Sequence, residues 1–182
     1  IVENMPSGTA IRPGDILHMR NGKTIEVINT DAEGRLIMAD ALAFASESKP
    51  DIICDVATLT GAAYVALGVE IGAVFSNNKV TLDSFLNSNN DGFENYHSLP
   101  LEQSYKSQIK SNIADMKNSG GRFGGAITAA LLLEEFVEDL NWIHLDIAGP
   151  ARSRSSNSIY PEGGTGFGVL GYFNFLANEA NS

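Results

Sequence analysis

Asn29-Thr30-Asp31-Ala32-Glu33-Gly34-Arg35-Leu36 decides how this chain is read. An apolar run, Ile25-Glu26-Val27-Ile28, leads into it, and Leu36-Ile37-Met38-Ala39-Asp40-Ala41-Leu42-Ala43-Phe44-Ala45 leads out with helical character. A strand, a turn and a helix start are expected. Asp31, Glu33 and Arg35 stand two residues apart, which on extended backbone puts all three side chains on one face. Two carboxylates and a guanidinium then gather at the carboxyl end of a strand, where open α/β sheets place their ligands. A plainer account covers part of the stretch. Thr30-x-x-Glu33 ahead of an apolar run fits a capping box, in which both side chains only satisfy orphan amides of the helix. It leaves Asp31 and Arg35 unexplained.

Toward the amino end, Met5-Pro6-Ser7-Gly8, Arg12-Pro13-Gly14-Asp15 and Asn21-Gly22-Lys23 read as turns. Asn-Gly between the apolar runs 16–19 and 24–27 is a strong hairpin signal. His18 alternates with apolar neighbours there and is expected to face solvent. Ile1-Val2-Glu3-Asn4-Met5-Pro6-Ser7-Gly8 has no initiator methionine and reads as the end of a strand running into a turn, as in a piece of something longer. Toward the carboxyl end, a helix over roughly 34–48 stops at Lys49-Pro50. Residues 51–56 form a short buried strand, so strand 24–28, helix and strand 51–56 make a right-handed βαβ unit with parallel strands.

Ala57-Thr58-Leu59-Thr60-Gly61-Ala62-Ala63 is a second strand-to-helix turn, expected to open beside the first. A third strand follows at 71–76, and Leu82, Phe85 and Leu86 mark one helical face that ends at the polar run 87–92. Residues 101–109 suggest a short helix, with His97 in the loop before it. The glycine-rich loop 118–125 opens onto the clearest helix, 126–137. Residues 142–148 form a last core strand that carries His144 near the core. A Ser- and Gly-rich loop at 152–166 and a helix at 167–177 close the chain. The fold class expected is a three-layer α/β domain, its central sheet mostly parallel or mixed and flanked by helices.

Composition bounds the function. A chain of 182 residues with 43% hydrophobic and 19% charged residues suits one soluble domain with a proper core. A formal net charge of -10 argues against a general nucleic-acid binder and against docking on an anionic membrane. No apolar run is long enough to span a bilayer. The single cysteine, Cys54, lies in Ile52-Ile53-Cys54-Asp55-Val56 and reads as a small buried hydrophobe. One cysteine forms no internal disulfide, which favours a reducing, cytoplasmic setting. Gly120-Gly121-x-x-Gly124-Gly125 lacks the Lys-Ser/Thr ending of a nucleotide loop, so tight turning and close helix packing account for it better. H-E-x-x-H, C-x-x-C and G-x-S-x-G patterns are absent from the sequence.

The stretch 29–36 resembles the signature of the leucine (cytosol) aminopeptidases, the M17 family of two-metal exopeptidases. The likeness continues in Glu3-Asn4-Met5-Pro6-Ser7-Gly8 with Arg12-Pro13-Gly14-Asp15, Ala57-Thr58-Leu59-Thr60-Gly61, Ala114-Asp115-Met116, Gly125-Ala126-Ile127-Thr128-Ala129-Ala130, His144-Leu145-Asp146-Ile147-Ala148-Gly149 and Gly163-Gly164-Thr165-Gly166. It covers nearly the whole chain and is weakest at 77–110 and 152–160.

The resemblance implies that Asp31 and Glu33 ligate two divalent metal ions, zinc or manganese. It gives Arg35 the catalytic place of the arginine that holds a bicarbonate ion, the general base for an attacking water. The residue types suit this: carboxylates bind such cations and can bridge them, and a guanidinium matches a planar oxyanion. The amides of Ala32, Gly34 and Leu59, at two helix starts, would complete the anion's cradle. Thr58, Gly61, Ala148 and Ala151 take the places of the pocket for the substrate's first side chain. The family site also uses a metal-binding lysine, two further aspartates and a catalytic lysine, all upstream of the segment that resembles residues 3–8. Residues 1–182 are therefore expected to be the carboxyl-terminal portion of the catalytic domain, inactive alone, from a parent that cleaves peptides and assembles as a hexamer. The competing reading is a non-catalytic scaffold or oligomerisation module with the same fold.

Overall fold

The computed structural model describes residues 7–90, 92–156 and 160–181. The segment 1–6, with the expected strand end, lies outside the described residues, as do Asp91 and residues 157–159 of the Ser-rich loop. β1 (Ile16–His18) and β2 (Thr24–Glu26) form the expected antiparallel hairpin around Asn21-Gly22, with His18 exposed. β2 then runs through a 3-10 turn (Thr30–Ala32) into α1 (Glu33–Ser46). The chain continues with β3 (Ile52–Ala57), α2 (Gly61–Leu67), β4 (Ile71–Ser76), α3 (Lys79–Ser88), β5 (Asn95–Ser98), a 3-10 helix (Gln103–Ile109), β6 (Met116–Lys117) and α4 (Gly125–Glu134). β7 (Asn141–Asp146), the short pair β8 (Arg152–Ser153) and β9 (Gly163–Gly164), and α5 (Val169–Glu179) complete it. His97, expected in a loop, sits on β5, an edge strand.

Two sheets divide what the sequence suggested as one βαβ unit. β2 pairs with β1 and, in parallel, with β6, Ile25 opposite Met116. β3 lies in a separate four-stranded sheet of order β3-β7-β4-β5. The expected β2–α1–β3 crossover within one sheet is therefore corrected. A helix between two strands does not dictate that they share a sheet when each finds its partner farther along the chain. The four-stranded sheet is mixed: β7 is parallel to β3 and antiparallel to β4, and β4 is parallel to β5.

Its central strands are buried along almost their whole length, because both faces are covered. Ile53, Ala73, Phe75 and Trp142 point to the side where Leu36, Ala39 and Leu42 of α1 and Ala130–Leu133 of α4 pack. Val74, Ile143 and Leu145 point to the other side, against Phe85 of α3 and Phe175 of α5. This is the three-layer arrangement expected. The glycine-rich loop serves close packing: Gly124 has φ +65, and a Cβ on Gly125 would stand 3.0 Å from that of Ala62 on α2. His144 is 1% exposed, its Nδ1 2.5 Å from Asp55 Oδ1, and it stacks on Phe75 and Trp142. Burial, helped by Asp55, pushes the Cys54 thiol up to about 12, so it is no nucleophile at neutral pH.

Candidate functional site

Asn29, three residues beyond β2, keeps extended backbone, and its side-chain oxygen accepts the Asp31 amide at 3.0 Å. That local bond starts the helical geometry at Thr30, one residue before any side chain of the expected box could act. Ala32 precedes α1 without a side-chain cap, so the Thr30–Glu33 capping box is not formed. The expectation of three side chains on one extended face is likewise corrected. On helical backbone, residues two apart diverge by about 200°. Asp31 is exposed, Glu33 half-buried and Arg35 only 8% exposed. All three nevertheless border one cleft of about 510 Å³. Thr58 and Leu59, from the loop between β3 and α2, and Gly61, which opens α2, form its other wall. The two strand-to-helix turns thus open side by side, and a Cβ on Gly34 would stand 3.3 Å from Leu59 Cδ1.

Two buried side chains that the sequence did not single out hold these loops. Asn118, fully buried, accepts the amides of Ile28 (2.9 Å) and Asn29 (3.2 Å). Its Nδ2 donates to the carbonyls of Asn29 (2.6 Å) and Ala32 (3.4 Å). The Asn118 carbonyl in turn accepts from the Arg35 guanidinium at 2.9 Å. Asp146, at the end of β7 and 1% exposed, does the same for the second loop. Its Oδ1 accepts the amides of Leu59, Thr60 and Ala148, and its Oδ2 the Thr60 hydroxyl at 2.6 Å. A carboxylate closing an apolar strand such as Trp142-Ile143-His144-Leu145 was the available signal for Asp146, since a buried charge needs partners. Asn118, ahead of a glycine run, offered none.

Arg35 is buried with one hydrogen bond, and burial lowers its pKa while the negative charge of Asp146 counteracts this. The carboxylates of Asp31 and Glu33 have no hydrogen bond or ion pair among the described residues. Acceptors without protein donors, facing a cleft, fit a cation as partner. The donor set is partial, because no group of three or more His, Cys, Asp or Glu able to hold a metal occurs among the described residues. Two of the three amides expected to cradle an anion are engaged within the protein: Ala32 donates to the Asn29 carbonyl and Leu59 to Asp146. Thr58 and Gly61 line the cleft, whereas Ala148 lines a separate, neighbouring cavity and Ala151 borders neither. The expected four-residue pocket is thus not assembled in one space. Asp146 still links its parts, through its bonds to Leu59, Thr60 and Ala148.

Residues 1–171 match the catalytic domain of the cytosol aminopeptidase family. The chain belongs to that family. A "Probable cytosol aminopeptidase" of Synechococcus sp. is 51% identical over 179 residues, 98% of this chain and 36% of the relative. A protein of the same description from Syntrophotalea carbinolica is 51% identical over 178 residues, with 98% and 36% covered. A solved structure of a mutant tomato leucine aminopeptidase superposes with a TM-score of 0.91 at 44% identity, covering 97% of this chain and 34% of that one. The chain spans little more than a third of the length of these cytosol aminopeptidase relatives. The family is metal-dependent as a class. No helix among the described residues is long and apolar enough to cross a membrane.

Proposed function

We propose that residues 1–182 are the carboxyl-terminal portion of the catalytic domain of a leucine aminopeptidase-type metallo-exopeptidase, which releases N-terminal, typically apolar residues from peptides. One observation carries this reading: Asp31 and Glu33, without protein partners among the described residues, share a cleft with the buried Arg35. Asp31 and Glu33 would hold two zinc or manganese ions, Glu33 from the more buried position. Such ions supply a water made acidic enough to attack and a polarised scissile carbonyl. Arg35, with its guanidinium desolvated, would hold a planar oxyanion such as bicarbonate, which would supply a general base. Thr58 and Gly61 leave room for the first side chain of the substrate. Asn118 and Asp146 keep the two loops in register so that these groups converge.

The partners on this reading are peptides and further copies of the protein in a hexamer, in a cytoplasmic setting. The acidic charge of -10 gives no support to nucleic-acid binding. The test is hydrolysis of leucine p-nitroanilide by the intact protein with zinc or manganese. Glu33→Gln is expected to lower kcat/KM by about two orders of magnitude or more. The 182-residue chain alone is expected to show no turnover and to lose zinc on dialysis, because affinity depends on ligand count and geometry. An intact, metal-loaded protein inert toward every aminoacyl substrate would return the scaffold reading to first place.

A further inference from the structure

Ala148 leads into a second space that the metal-facing cleft does not use. A cavity of about 410 Å³ is lined by Tyr64, Val69, Ala148, Arg152, Arg154 and Glu162, among others. A second, of about 310 Å³, shares Val69, Arg152 and Arg154 with it and also borders Glu70. The shared residues make the two one groove. Arg152 and Arg154 line both halves, whereas Glu162 borders only the first and Glu70 only the second. On a chain of net charge -10, each half of the groove thus sets two arginines against a single carboxylate.

The local fold leaves both arginines without a neutralising partner among the described residues. Arg152 begins β8, and Arg154 stands just beyond the end of that strand, at a bend. Ser153, which also lines the smaller cavity, donates to the Ser155 carbonyl at 2.6 Å. The partner strand β9 is Gly163–Gly164, with Gly164 opposite Arg152. A glycine has no side chain to neutralise a cation across the ladder, where an opposite charge would ordinarily stabilise the pair. Arg152 and Arg154 are both exposed and neither makes an ion pair among the described residues. The groove is fixed to the metal-facing cleft by Asp146, which binds the amides of Ala148 on one side and Leu59 and Thr60 on the other.

We propose that this groove binds a carboxylate of the peptide substrate, so that Arg152 and Arg154 set a preference for an acidic group near the scissile bond. This rests on the aminopeptidase reading above and names a substrate class for it. Planar, bidentate recognition of a carboxylate is the task for which a guanidinium is best shaped. The carboxylate has two sources, the side chain of an N-terminal glutamate or the free carboxyl terminus of a short peptide.

The intact protein decides between them by two ratios of kcat/KM. One compares glutamate p-nitroanilide with leucine p-nitroanilide, the other Leu-Gly with Leu-Gly amide. In Arg152→Gln/Arg154→Gln, one of these ratios is expected to fall about tenfold, the size of one lost charge-assisted contact, with the effect weakening in high salt. Arg152→Lys/Arg154→Lys, which keeps the charge but not the fork, is expected to fall between. A changed first ratio assigns the side chain and a changed second ratio the carboxyl terminus. If both ratios are the same in wild type and the Gln variant, the inference is overturned while the peptidase reading stands. If no substrate is cleaved at all, it is that earlier reading that fails.

Discussion

Arg35 shows how far one residue's role departs from its spacing. Its position after Asp31 and Glu33 suggested a shared face, yet helical backbone drives it into the core, where one hydrogen bond to the Asn118 carbonyl holds it. The chemistry of the trio was legible because the residue types are local. Their convergence was not, because it depends on Asn118 approaching from the far side of the chain. Asn118→Ala removes four side-chain hydrogen bonds to residues 28–32 and leaves largely part-buried backbone groups unpaired. We expect it to destabilise the protein by about 3 kcal/mol, measured by denaturant unfolding. Asn118→Asp is expected to do no better. It keeps the one oxygen that accepts the amides of Ile28 and Asn29 but turns a second oxygen toward the carbonyls of Asn29 and Ala32, where the amide had donated.

Elements meet through charges as well as apolar faces. Glu135, just beyond α4, accepts from Lys23 on the β1–β2 hairpin at 2.5 Å and from Lys106 on the 3-10 helix at 2.6 Å. Burial alone would raise the Glu135 pKa, but the hydrogen bonds from Lys106 and Lys23 outweigh it and hold it below the usual carboxylate range. Lys106 is raised above its ordinary value, burial opposing and the Glu135 and Glu134 contacts prevailing. A depressed carboxylate contributes stability that is present above its unfolded pKa and lost as pH falls through the folded one. A raised lysine contributes stability lost as pH climbs through its folded value. The stability difference between wild type and Glu135→Gln is therefore expected to be steady across neutral pH. It should shrink below about pH 4 and again above about pH 10.5, read from unfolding free energies across pH. The hairpin itself was legible from Asn21-Gly22, a two-residue signal. That it docks on the end of α4 was not.

At the scale of the molecule, the four-stranded sheet ends in β3, which pairs with β7 on one side only among the described residues. Val56 on that strand is 45% exposed, and Val169, Phe173 and Leu176 form an exposed apolar stripe along α5. Gly168, before α5, lies against Val56, so stripe and edge adjoin. An open strand edge beside apolar surface is a template for pairing with a like edge. The 182-residue chain alone is expected to self-associate, with sedimentation showing species larger than 19.4 kDa that grow with concentration. A compact monomer at all concentrations would contradict this. The three-layer architecture was readable because α4 and the central strands are apolar nearly throughout, as elements covered on both sides must be.

Local chemistry, then, lay open in the order of residues: the acidic signature, the hairpin turn, the buried strands and the helices between them. These depend on neighbours within a few positions, through turn geometry, hydrophobic period and side-chain type. Three things came only from the packed chain. β2 and β3 sit in different sheets, Asn118 and Asp146 clamp the two loops of the cleft, and Ala148 opens onto a groove bearing two arginines rather than onto the cleft of Asp31 and Glu33. Each is a meeting of distant segments, Ile25 with Met116 or Leu59 with Asp146. Such meetings are selected by how all the elements bury their apolar faces together, a condition no short stretch of sequence contains.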